Sequence, residues 1–289
     1  GSPTRNTGPF YKDEEHPEKS LYWTAYCLNK RSITLDIREK AGQELFKRLV
    51  ETSDFVLDSS MPGTMPGLGL DYHSLSKINP GLIYTSVTPF GQSGPYARYA
   101  TTDLISWAMG GALYVTGDSD RAPARVSVPR AQHHGGAQGA AGSLIALFSR
   151  HITGEGQQVD VSIQAAVIRV LMNAASNSVL MGVNIERGGG TKNFGTLTVR
   201  DVFPTTDGFV AGTVAGGTVS GRSTQALIRW MDSEGMASEF LKSQDWPNMD
   251  YYRIMTVGGQ EARDFERCQE EFGAFFATKT KSEIYARAV

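Results

Sequence analysis

The residues best able to do chemistry lie in the run Gln-His-His-Gly-Gly at positions 132–136. The run follows a short predicted strand over 124–128 and stands at the start of a predicted helix. Helix starts present unpaired N–H groups and the positive end of the helix dipole, which stabilise an anion or a developing oxyanion. His133 or His134 could serve there as an acid or a base near neutral pH. Alternatively, Gln132 simply caps the helix start or forms a hydrogen bond to it.

Metal chemistry and two other common kinds of active site are not expected from the sequence. Among the five histidines only His133 and His134 are adjacent, and neither belongs to an HExxH pattern. The sequence contains no GxSxG nucleophile elbow, which argues against a hydrolase with a Ser-His-Asp triad. The glycine run at 188–190 lacks the lysine and the Ser/Thr of a P-loop, so it predicts a hinge or linker.

Composition excludes several classes of protein. The 289 residues are enough for one large or two modest domains with a buried core. The formal net charge of -2 argues against a protein that binds nucleic acid through bulk charge. Cys27 and Cys268 are too few for a disulfide scaffold and favour a reducing, cytoplasmic setting. No run of about 18 apolar residues is present, so no membrane-spanning segment is expected.

The first part of the chain alternates predicted strands and helices after a long polar surface loop over 1–30. The predicted elements are a strand over 32–37, a helix over 41–52, a strand over 54–58, a helix over 72–78 and a strand over 82–87. This order is typical of a parallel sheet with right-handed crossovers. The segment 90–96 follows the third strand at its carboxyl end, where open α/β sheets bind ligands.

The rest of the chain is mainly helical, with a change of composition near residue 190. The predicted elements are helices over 103–116, 135–151 and 165–181, a strand over 158–163, a strand-turn-strand over 203–210, and helices around 225–230, 263–277 and 281–288. Gly135, Gly139 and Gly142 share one side of the second of these helices. They predict close packing against another backbone, or alternatively a ligand beneath the helix start.

Four segments of the sequence carry motifs of a known family. They read NKRSITLD at 29–36, MPG through LG at 61–69, FGQSGPY at 90–96 and RHITGEGQQVDVS at 150–162. Their letters, order and spacing resemble those of class III CoA transferases, the formyl-CoA and carnitine CoA-transferase family. The strand-turn-strand segment also resembles the hairpin that opens the small domain of that family.

The resemblance implies an α/β fold with a Rossmann-like large domain that contains a parallel sheet, a smaller α+β domain and an interlocked dimer. It places the large domain at 1–190 and the linker and small domain at 191–289. Against the family, we expect the N-terminal strand and the C-terminal end to be missing from this sequence. The implied chemistry moves CoA between carboxylic acids through a catalytic aspartate that attacks an acyl-CoA thioester.

The resemblance also implies which residues would contact CoA or an acyl-CoA thioester. The candidates are Arg5, Asn29, Lys30, Ser59, Gly63, Gly91 and Gln92. Arg5 matches an arginine that lies near CoA in the family, although it could be an ordinary surface arginine. Tyr22, Trp23 and Tyr26 form an aromatic group that favours core packing or a dimer contact, with an aromatic substrate pocket as the alternative.

The sequence departs from the family at several ligand and catalytic positions. Gln132 stands where the family has its aspartate, and an amide can neither form the anhydride nor act as a general base. Gly67 replaces an arginine suited to a CoA phosphate, and Thr102 replaces a tyrosine. Ser59 and the serine after it stand in the family's ENF segment. No intact catalytic residue is therefore expected, and CoA binding by this chain is in doubt.

Three hypotheses follow. The first is a non-catalytic scaffold subunit of a heteromeric CoA transferase, as in paired enzymes such as benzylsuccinate CoA-transferase. Its partner would be a homologous catalytic subunit. CoA would be transferred between succinyl-CoA and an aromatic or dicarboxylic acid. The second is an active homodimeric acyl-CoA racemase or isomerase that uses His133 or His134. The third is a regulatory protein that binds acyl-CoA without chemistry.

Overall fold

A parallel three-stranded sheet lies at the centre of the first half of the chain. The structure is a computed structural model that describes residues 2–171, 174–182, 184–194 and 197–288. The sheet has the order β1-β2-β3, formed by β1 (Phe55–Asp58), β2 (Ile83–Thr88) and β3 (Gln158–Ser162). β2 pairs in parallel on both sides and is almost entirely buried, as its β-branched and aromatic residues predict.

Helices make up most of the remaining structure. In chain order they are α1 (Leu21–Cys27), α2 (Lys40–Val50), α3 (Thr64–Gly67), α4 (Tyr72–Leu75), α5 (Asp103–Met109), α6 (Ala131–Thr153), α7 (Ile163–Val170), α8 (Ala174–Met181), α9 (Gly217–Ser233), α10 (Glu239–Ser243), α11 (Tyr251–Val257), α12 (Gln260–Phe276) and α13 (Lys281–Ala288). Short 3₁₀ helices cover Pro3–Asn6, Tyr11–Asp13 and Trp246–Asn248. No described helix is long and apolar enough to span a membrane.

Two antiparallel hairpins open the second half. They pair β4 (Thr191–Phe194) with β5 (Leu197–Arg200), and β6 (Val202–Thr205) with β7 (Gly208–Ala211). The second hairpin confirms the strand-turn-strand predicted over 203–210.

The buried side chains of the second half form one cluster, and those of the first half form two others. The cluster of the second half is rich in aromatic rings from α12 and the segment before α11, and its fully buried members include Phe203, Trp246, Phe265, Phe272 and Phe275. The domain boundary near residue 190 stays a prediction.

Two predicted strands are wrong. Residues 31–36 form no regular structure, and Ile33 is 68% exposed, because no neighbouring strand among the described residues pairs with them. Asp36 instead closes a turn, in which its carboxylate accepts hydrogen bonds from the main chain and side chain of Arg38. Residues 124–128 are also irregular, and Ala124 forms its main-chain hydrogen bond with Thr116 rather than with a strand.

Other differences concern where elements begin and end. The polar segment 1–30 is not one loop, since it contains α1 and two 3₁₀ helices. The helix predicted over 103–116 stops at Met109, before a glycine pair whose second member, Gly111, has φ +82°. The helix predicted over 165–181 is divided into α7 and α8, and residues 172–173 between them lie outside the described residues.

The glycine side of α6 packs directly on the sheet. A Cβ atom at Gly135 would lie 2.7 Å from Ile163 Cγ1, and one at Gly139 would lie 2.9 Å from Val87 Cγ2. A Cβ at Gly142 would lie 2.8 Å from a methyl group of Val159. The same face carries a buried hydrogen bond of 2.7 Å between the hydroxyls of Thr85 and Ser143. Close helix packing, as predicted, therefore explains these three glycines.

Replacing a glycine on this face should cost stability, whereas replacing one on the open side should not. We expect Gly139→Ala to lower the free energy of unfolding by about 1–2 kcal/mol, because the added methyl group overpacks the helix–sheet contact. Gly136 has no atom within 4 Å of its Cβ position. Gly136→Ala should therefore raise the stability by up to ~1 kcal/mol through helix propensity. Urea unfolding of both variants measures the difference, and equal stabilisation by both would contradict the packing.

Candidate active site

The start of α6 is held by a side chain from α5. Asp103 Oδ2 accepts a hydrogen bond of 3.2 Å from the Arg130 N–H, and Oδ1 accepts one of 3.3 Å from the Gln132 N–H. A carboxylate here satisfies N–H groups that the helix cannot pair and lies favourably at the positive end of its dipole. The cap of α6 is therefore Asp103, and the alternative that Gln132 caps the helix is wrong.

Gln132 lies at this helix start with its side chain exposed. Its main chain is fixed by Asp103, so the position is well defined although the side chain is in solvent. The amide group can donate and accept hydrogen bonds, but it cannot form an acyl anhydride or take up a proton as a base. The side chain at this helix start is therefore an exposed amide and not a carboxylate.

His133 is engaged by α1. Its Nε2 shares a hydrogen bond of 3.0 Å with the hydroxyl of Tyr22, and its ring stacks on Tyr26 with centroids 4.7 Å apart. Burial raises the pKa of Tyr22, and the nearby Tyr26 and Asp103 raise it further. The two tyrosines noted in the sequence therefore pack on the start of α6, and the rings of both lie against His133.

His134 points to a different part of the structure. Its ring stacks on Trp107 of α5, with centroids 5.9 Å apart and an interplanar angle of 24°. Neighbouring residues on a helix project about 100° apart, so the two histidines cannot serve one reacting atom together. Of the pair, His133 lies with a titratable hydroxyl partner, and His134 lies against an indole.

The candidate CoA residues near the N-terminus are engaged by neighbours. The guanidinium of Arg5 forms an ion pair of 2.6 Å with Glu18 and lies 4.3 Å from the ring centroid of Trp23. Lys30 donates from Nζ to the main-chain oxygen of Tyr26 at 2.7 Å. Asn29 is exposed and has φ +58°. The ion pair with Glu18 occupies Nη1 of Arg5.

The loop after β1 is fixed at its base and open at its far end. Asp58 accepts a hydrogen bond of 2.8 Å from the Ser60 N–H and one of 3.2 Å from the hydroxyl of Tyr84. Burial and this carboxylate raise the pKa of Tyr84. The candidate Ser59 is exposed beside this base. Beyond it, Gly63 adopts φ +94°, which favours glycine.

Gly67 lies in open space. No atom lies within 4 Å of its Cβ position, and its φ is not in the left-handed region. The structure therefore accommodates a long side chain here, such as the arginine that the family resemblance places at this position.

The loop after β2 is tied to β3. Gly91 adopts φ +85°, and the Gln92 N–H donates to both carboxylate oxygens of Asp160, at 3.2 and 3.0 Å. The side-chain nitrogen of Gln92 is buried and has no hydrogen-bond partner among the described residues, and neither has the hydroxyl of Thr88. Buried donors without partners are rare, so Gln92 remains a good candidate for contact with a ligand.

These residues form two neighbouring groups. The loops that carry Ser59, Gly63, Gly91 and Gln92 leave the carboxyl ends of parallel strands β1 and β2, so they lie at one edge of the sheet. The second group is the start of α6 with Asp103 and Tyr22, described above. Sequence reasoning missed the role of Asp103 as a cap and the contact of Tyr22 with His133, because both join residues far apart in the chain.

Comparison with known families places the chain in one of them. The model of "CoA-transferase family III" matches residues 1–288. The chain belongs to this family. The match confirms the resemblance carried by the four sequence motifs.

Individual relatives agree with this family. The chain is 34% identical over 289 residues to succinyl-CoA:(R)-benzylsuccinate CoA-transferase subunit BbsE from Thauera aromatica, covering 99% of this chain and 67% of that protein. It is 36% identical over 229 residues to succinyl-CoA--D-citramalate CoA-transferase from Chloroflexus aurantiacus, covering 78% and 55% of the two chains. The chain thus spans about half to two thirds of the length of these relatives.

Solved structures support the fold. A CAIB/BAIF family protein from Brucella suis superposes with a TM-score of 0.71 at 29% identity, over 99% of this chain and 70% of that one. Rv3272 from M. tuberculosis superposes with a TM-score of 0.64 at 21% identity, over 90% and 64% of the two chains. The mixed α/β fold with its parallel sheet is confirmed. Among the described residues, no group of three or more His, Cys, Asp or Glu side chains could hold a metal ion.

Removing the cap should destabilise α6. We expect Asp103→Ala to lower the free energy of unfolding by about 1–2 kcal/mol, because two N–H groups at the helix start lose their acceptor. Asp120→Ala is the matched control, since Asp120 pairs only with the exposed Arg121. Urea unfolding of both variants tests this, and an Asp103→Ala protein as stable as the control would show that the cap contributes nothing.

Restoring the arginine at position 67 should strengthen CoA binding. We expect Gly67→Arg to raise the affinity for CoA about tenfold, because a charge-assisted hydrogen bond to phosphate contributes about 1.5–3 kcal/mol. Calorimetric titration with CoA and with dephospho-CoA measures the gain and identifies the phosphate involved. Gly67→Gln is the uncharged control, and an equal gain from it would rule out an ionic contact.

Proposed function

We propose that this chain is a non-catalytic subunit of a heteromeric CoA transferase that moves CoA between carboxylic acids. The observation that carries the proposal is Gln132, an exposed amide fixed at the start of α6 where the family has its aspartate. The aspartate of such an enzyme attacks the acyl-CoA thioester and displaces the CoA thiolate, which gives a mixed anhydride. The thiolate then attacks the aspartyl carbonyl, which gives an aspartyl-CoA thioester and releases the donor carboxylate. Gln132 supports neither step, because its amide is not a carboxylate nucleophile.

The nearest carboxylate does not replace the missing one. Asp103 uses both oxygens to accept main-chain hydrogen bonds at the helix start. An attack by either oxygen would remove the cap from α6, so the residue is committed to structure. Asp160 is likewise committed to the loop that follows β2, and Asp58 to the loop that follows β1.

The names of relatives support a heteromer. BbsE is named as a subunit of its enzyme. The alpha subunit of succinyl-CoA--L-malate CoA-transferase from Chloroflexus aurantiacus is 37% identical to this chain over 173 residues, which is 60% of this chain and 40% of that one. We therefore propose succinyl-CoA as the donor and an aromatic or dicarboxylic acid as the acceptor. The partner is a homologous subunit with an aspartate at the position of Gln132, joined as an interlocked dimer.

The same proposal includes the organisation of the chain and its setting. The Rossmann-like large domain spans 1–190, and the linker and small domain follow over 191–289. The candidate CoA residues at the carboxyl ends of β1 and β2 support a binding role for the large domain. A cytoplasmic setting fits an enzyme that uses CoA thioesters and a chain with only two cysteines.

One observation favours a second candidate function. The hydrogen bond between Tyr22 and His133 Nε2 joins two titratable groups at the start of α6, as an acid/base pair would need. A homodimer that exchanges the α-proton of an acyl-CoA thioester would use this pair. A regulatory protein would bind acyl-CoA and show neither activity.

The deciding experiment measures transfer by the chain with and without its partner. We expect the purified chain to show no transfer from succinyl-CoA to a dicarboxylic acid, because no nucleophile is present. Mixing it with the homologous chain that copurifies from the native source should give turnover. Mutating the partner's aspartate to asparagine should abolish that turnover. Full transfer by the isolated chain would overturn the proposal.

A second measurement addresses the acid/base alternative. Deuterium exchange at the α-carbon of an acyl-CoA thioester is followed by mass spectrometry in D₂O. We expect no exchange by the wild-type chain. Exchange that is lost in both Tyr22→Phe and His133→Ala, but kept in a His151→Ala control, would establish the second function instead.

A further inference from the structure

The glycine run at 188–190 is bound on both sides, to the first half of the chain and to the second. The Gly189 N–H donates a hydrogen bond of 2.9 Å to the main-chain oxygen of Gly117, in the first half. The main-chain oxygen of Gly190 accepts one of 2.8 Å from the N–H of Asp201, in the second half. The run therefore joins the two halves through hydrogen bonds of its own main chain.

Glycine at this joint allows other atoms to approach closely. Gly189 has φ +63°, and a Cβ there would lie 2.5 Å from Asp118 Oδ1. A Cβ at Gly190 would lie 2.9 Å from the Cβ of Val202, at the start of β6. Both distances are too short for an ordinary Cβ contact, so the packing itself requires glycine here. The run is therefore a packed joint in this structure.

Arg187, just before the run, binds main-chain carbonyl groups of the loop over 111–124. Its Nε donates to the oxygens of Asp118 and Arg121, at 3.0 and 3.2 Å, and its Nη2 donates to Arg121 at 2.8 Å. Its Nη1 donates to the oxygen of Tyr114 at 3.4 Å, and its guanidinium carbon lies 5.7 Å from the centroid of that tyrosine ring. A planar guanidinium has five N–H donors in a fixed geometry, which suits several carbonyls at once.

The loop that Arg187 binds is compact and leads to the candidate site. The main-chain oxygen of Thr116 accepts a hydrogen bond of 2.9 Å from the Ala124 N–H, and its hydroxyl donates one of 2.7 Å to the oxygen of Ala112. Ala112 is buried in one cluster with Ala131, the first residue of α6. The loop therefore connects the linker with the core at the start of α6.

We propose that residues 187–190 form a strap, which fixes the direction in which the second half leaves the first and opens into a hinge when the Arg187 side chain is released. The guanidinium is a rigid group, so its hydrogen bonds to the loop form and break together. Once they are broken, glycines that are no longer packed can adopt many main-chain directions. The strap involves neither CoA nor a partner subunit, so it does not depend on the proposed transferase role.

Hydrogen exchange followed by mass spectrometry tests the strap in the purified chain. We expect the wild-type segment over 184–192 to exchange at least about tenfold more slowly than the same sequence as a free synthetic peptide. Arg187→Gln should remove most of this protection. Arg187→Lys should remove nearly as much, because lysine keeps the charge and loses the planar fork. Arg229→Gln changes an exposed arginine on α9 and should leave the exchange unchanged.

An internal reference separates opening of the strap from a general loss of stability. The segment over 83–88 forms β2 at the centre of the sheet, so its exchange reports on unfolding of the first half. We expect Arg187→Gln to leave this reference unchanged while the segment over 184–192 exchanges faster. Small-angle X-ray scattering reports on the hinge, and we expect a larger radius of gyration for Arg187→Gln than for the wild-type chain or Arg229→Gln.

A substitution in the run tests the joint while Arg187 is intact. Gly190→Val would place a branched side chain against Val202, so we expect faster exchange over 184–192. Gly212→Val is the matched control. No atom lies within 4 Å of the Cβ position of Gly212, and its φ is outside the left-handed region. This control should leave the exchange over 184–192 as it is in the wild-type chain.

Three results would overturn the strap. The first is wild-type exchange over 184–192 as fast as in the free peptide. The second is a folded Arg187→Gln chain with unchanged exchange or an unchanged radius of gyration. The third is an equal acceleration over 83–88, which would show general destabilisation instead of local opening. None of these results bears on the transferase proposal, and transfer by the isolated chain would equally leave the strap untouched.

Discussion

The contact between the glycine side of α6 and the central strands governs the geometry of every candidate site. Gly135 and Gly139 allow the helix to approach Val87 and Ile163 so closely that no side chain fits between them. This contact sets where the helix begins relative to the carboxyl ends of β1 and β2. The position of residue 132 is therefore a consequence of backbone packing, whatever side chain it carries.

The unpaired N–H groups at the start of α6 are bound by the carboxylate of Asp103, and not by the side chain of residue 132. A helix start without an acceptor loses stability, and a change at the capping residue would be costly. Here the cap comes from α5, so residue 132 can change from a carboxylate to an amide without exposing the N–H groups of α6. The fold thereby separates the group that stabilises the site from the group that would react in it. The helix start therefore keeps these hydrogen bonds whichever side chain stands at residue 132.

Local sequence patterns correctly predicted the strands that pair within the regular parallel sheet. They failed for segments whose structure depends on contacts with residues far away in the chain. The strands predicted over 54–58, 82–87 and 158–163 lie in the observed sheet within a residue or two. The predicted strand over 32–37 has the alternation of polar and apolar residues that is typical of a strand. A strand also needs a neighbouring strand to pair with, and the alternation does not show whether one is present. The hydrogen bond of Tyr22 with His133 joins residues 111 positions apart. The periodicity of the sequence therefore could not predict it.

The sequence predicted where the candidate site lies along the chain, but not which side chains form hydrogen bonds within it. The motifs located Gln132 and the loops after β1 and β2, because these are read directly from letters and spacing. Which groups hold those loops depended on side chains from other elements, as Asp160 shows for Gln92. Those contacts follow from the three-dimensional arrangement of the sheet. The sequence alone does not show which two residues are in contact.

Two of the departures from the family motifs lie at positions where packing leaves room for other side chains. Gly67 lies in open space and Gln132 is exposed, so neither position is constrained by packing. In contrast, a Cβ at Gly42 or Gly156 would collide with a main-chain carbonyl oxygen, of Asp36 or of Leu82. Glycine is required at those two positions whether or not the chain catalyses anything. Gly67 and Gln132 therefore stand at positions where the packing of the fold does not dictate the side chain.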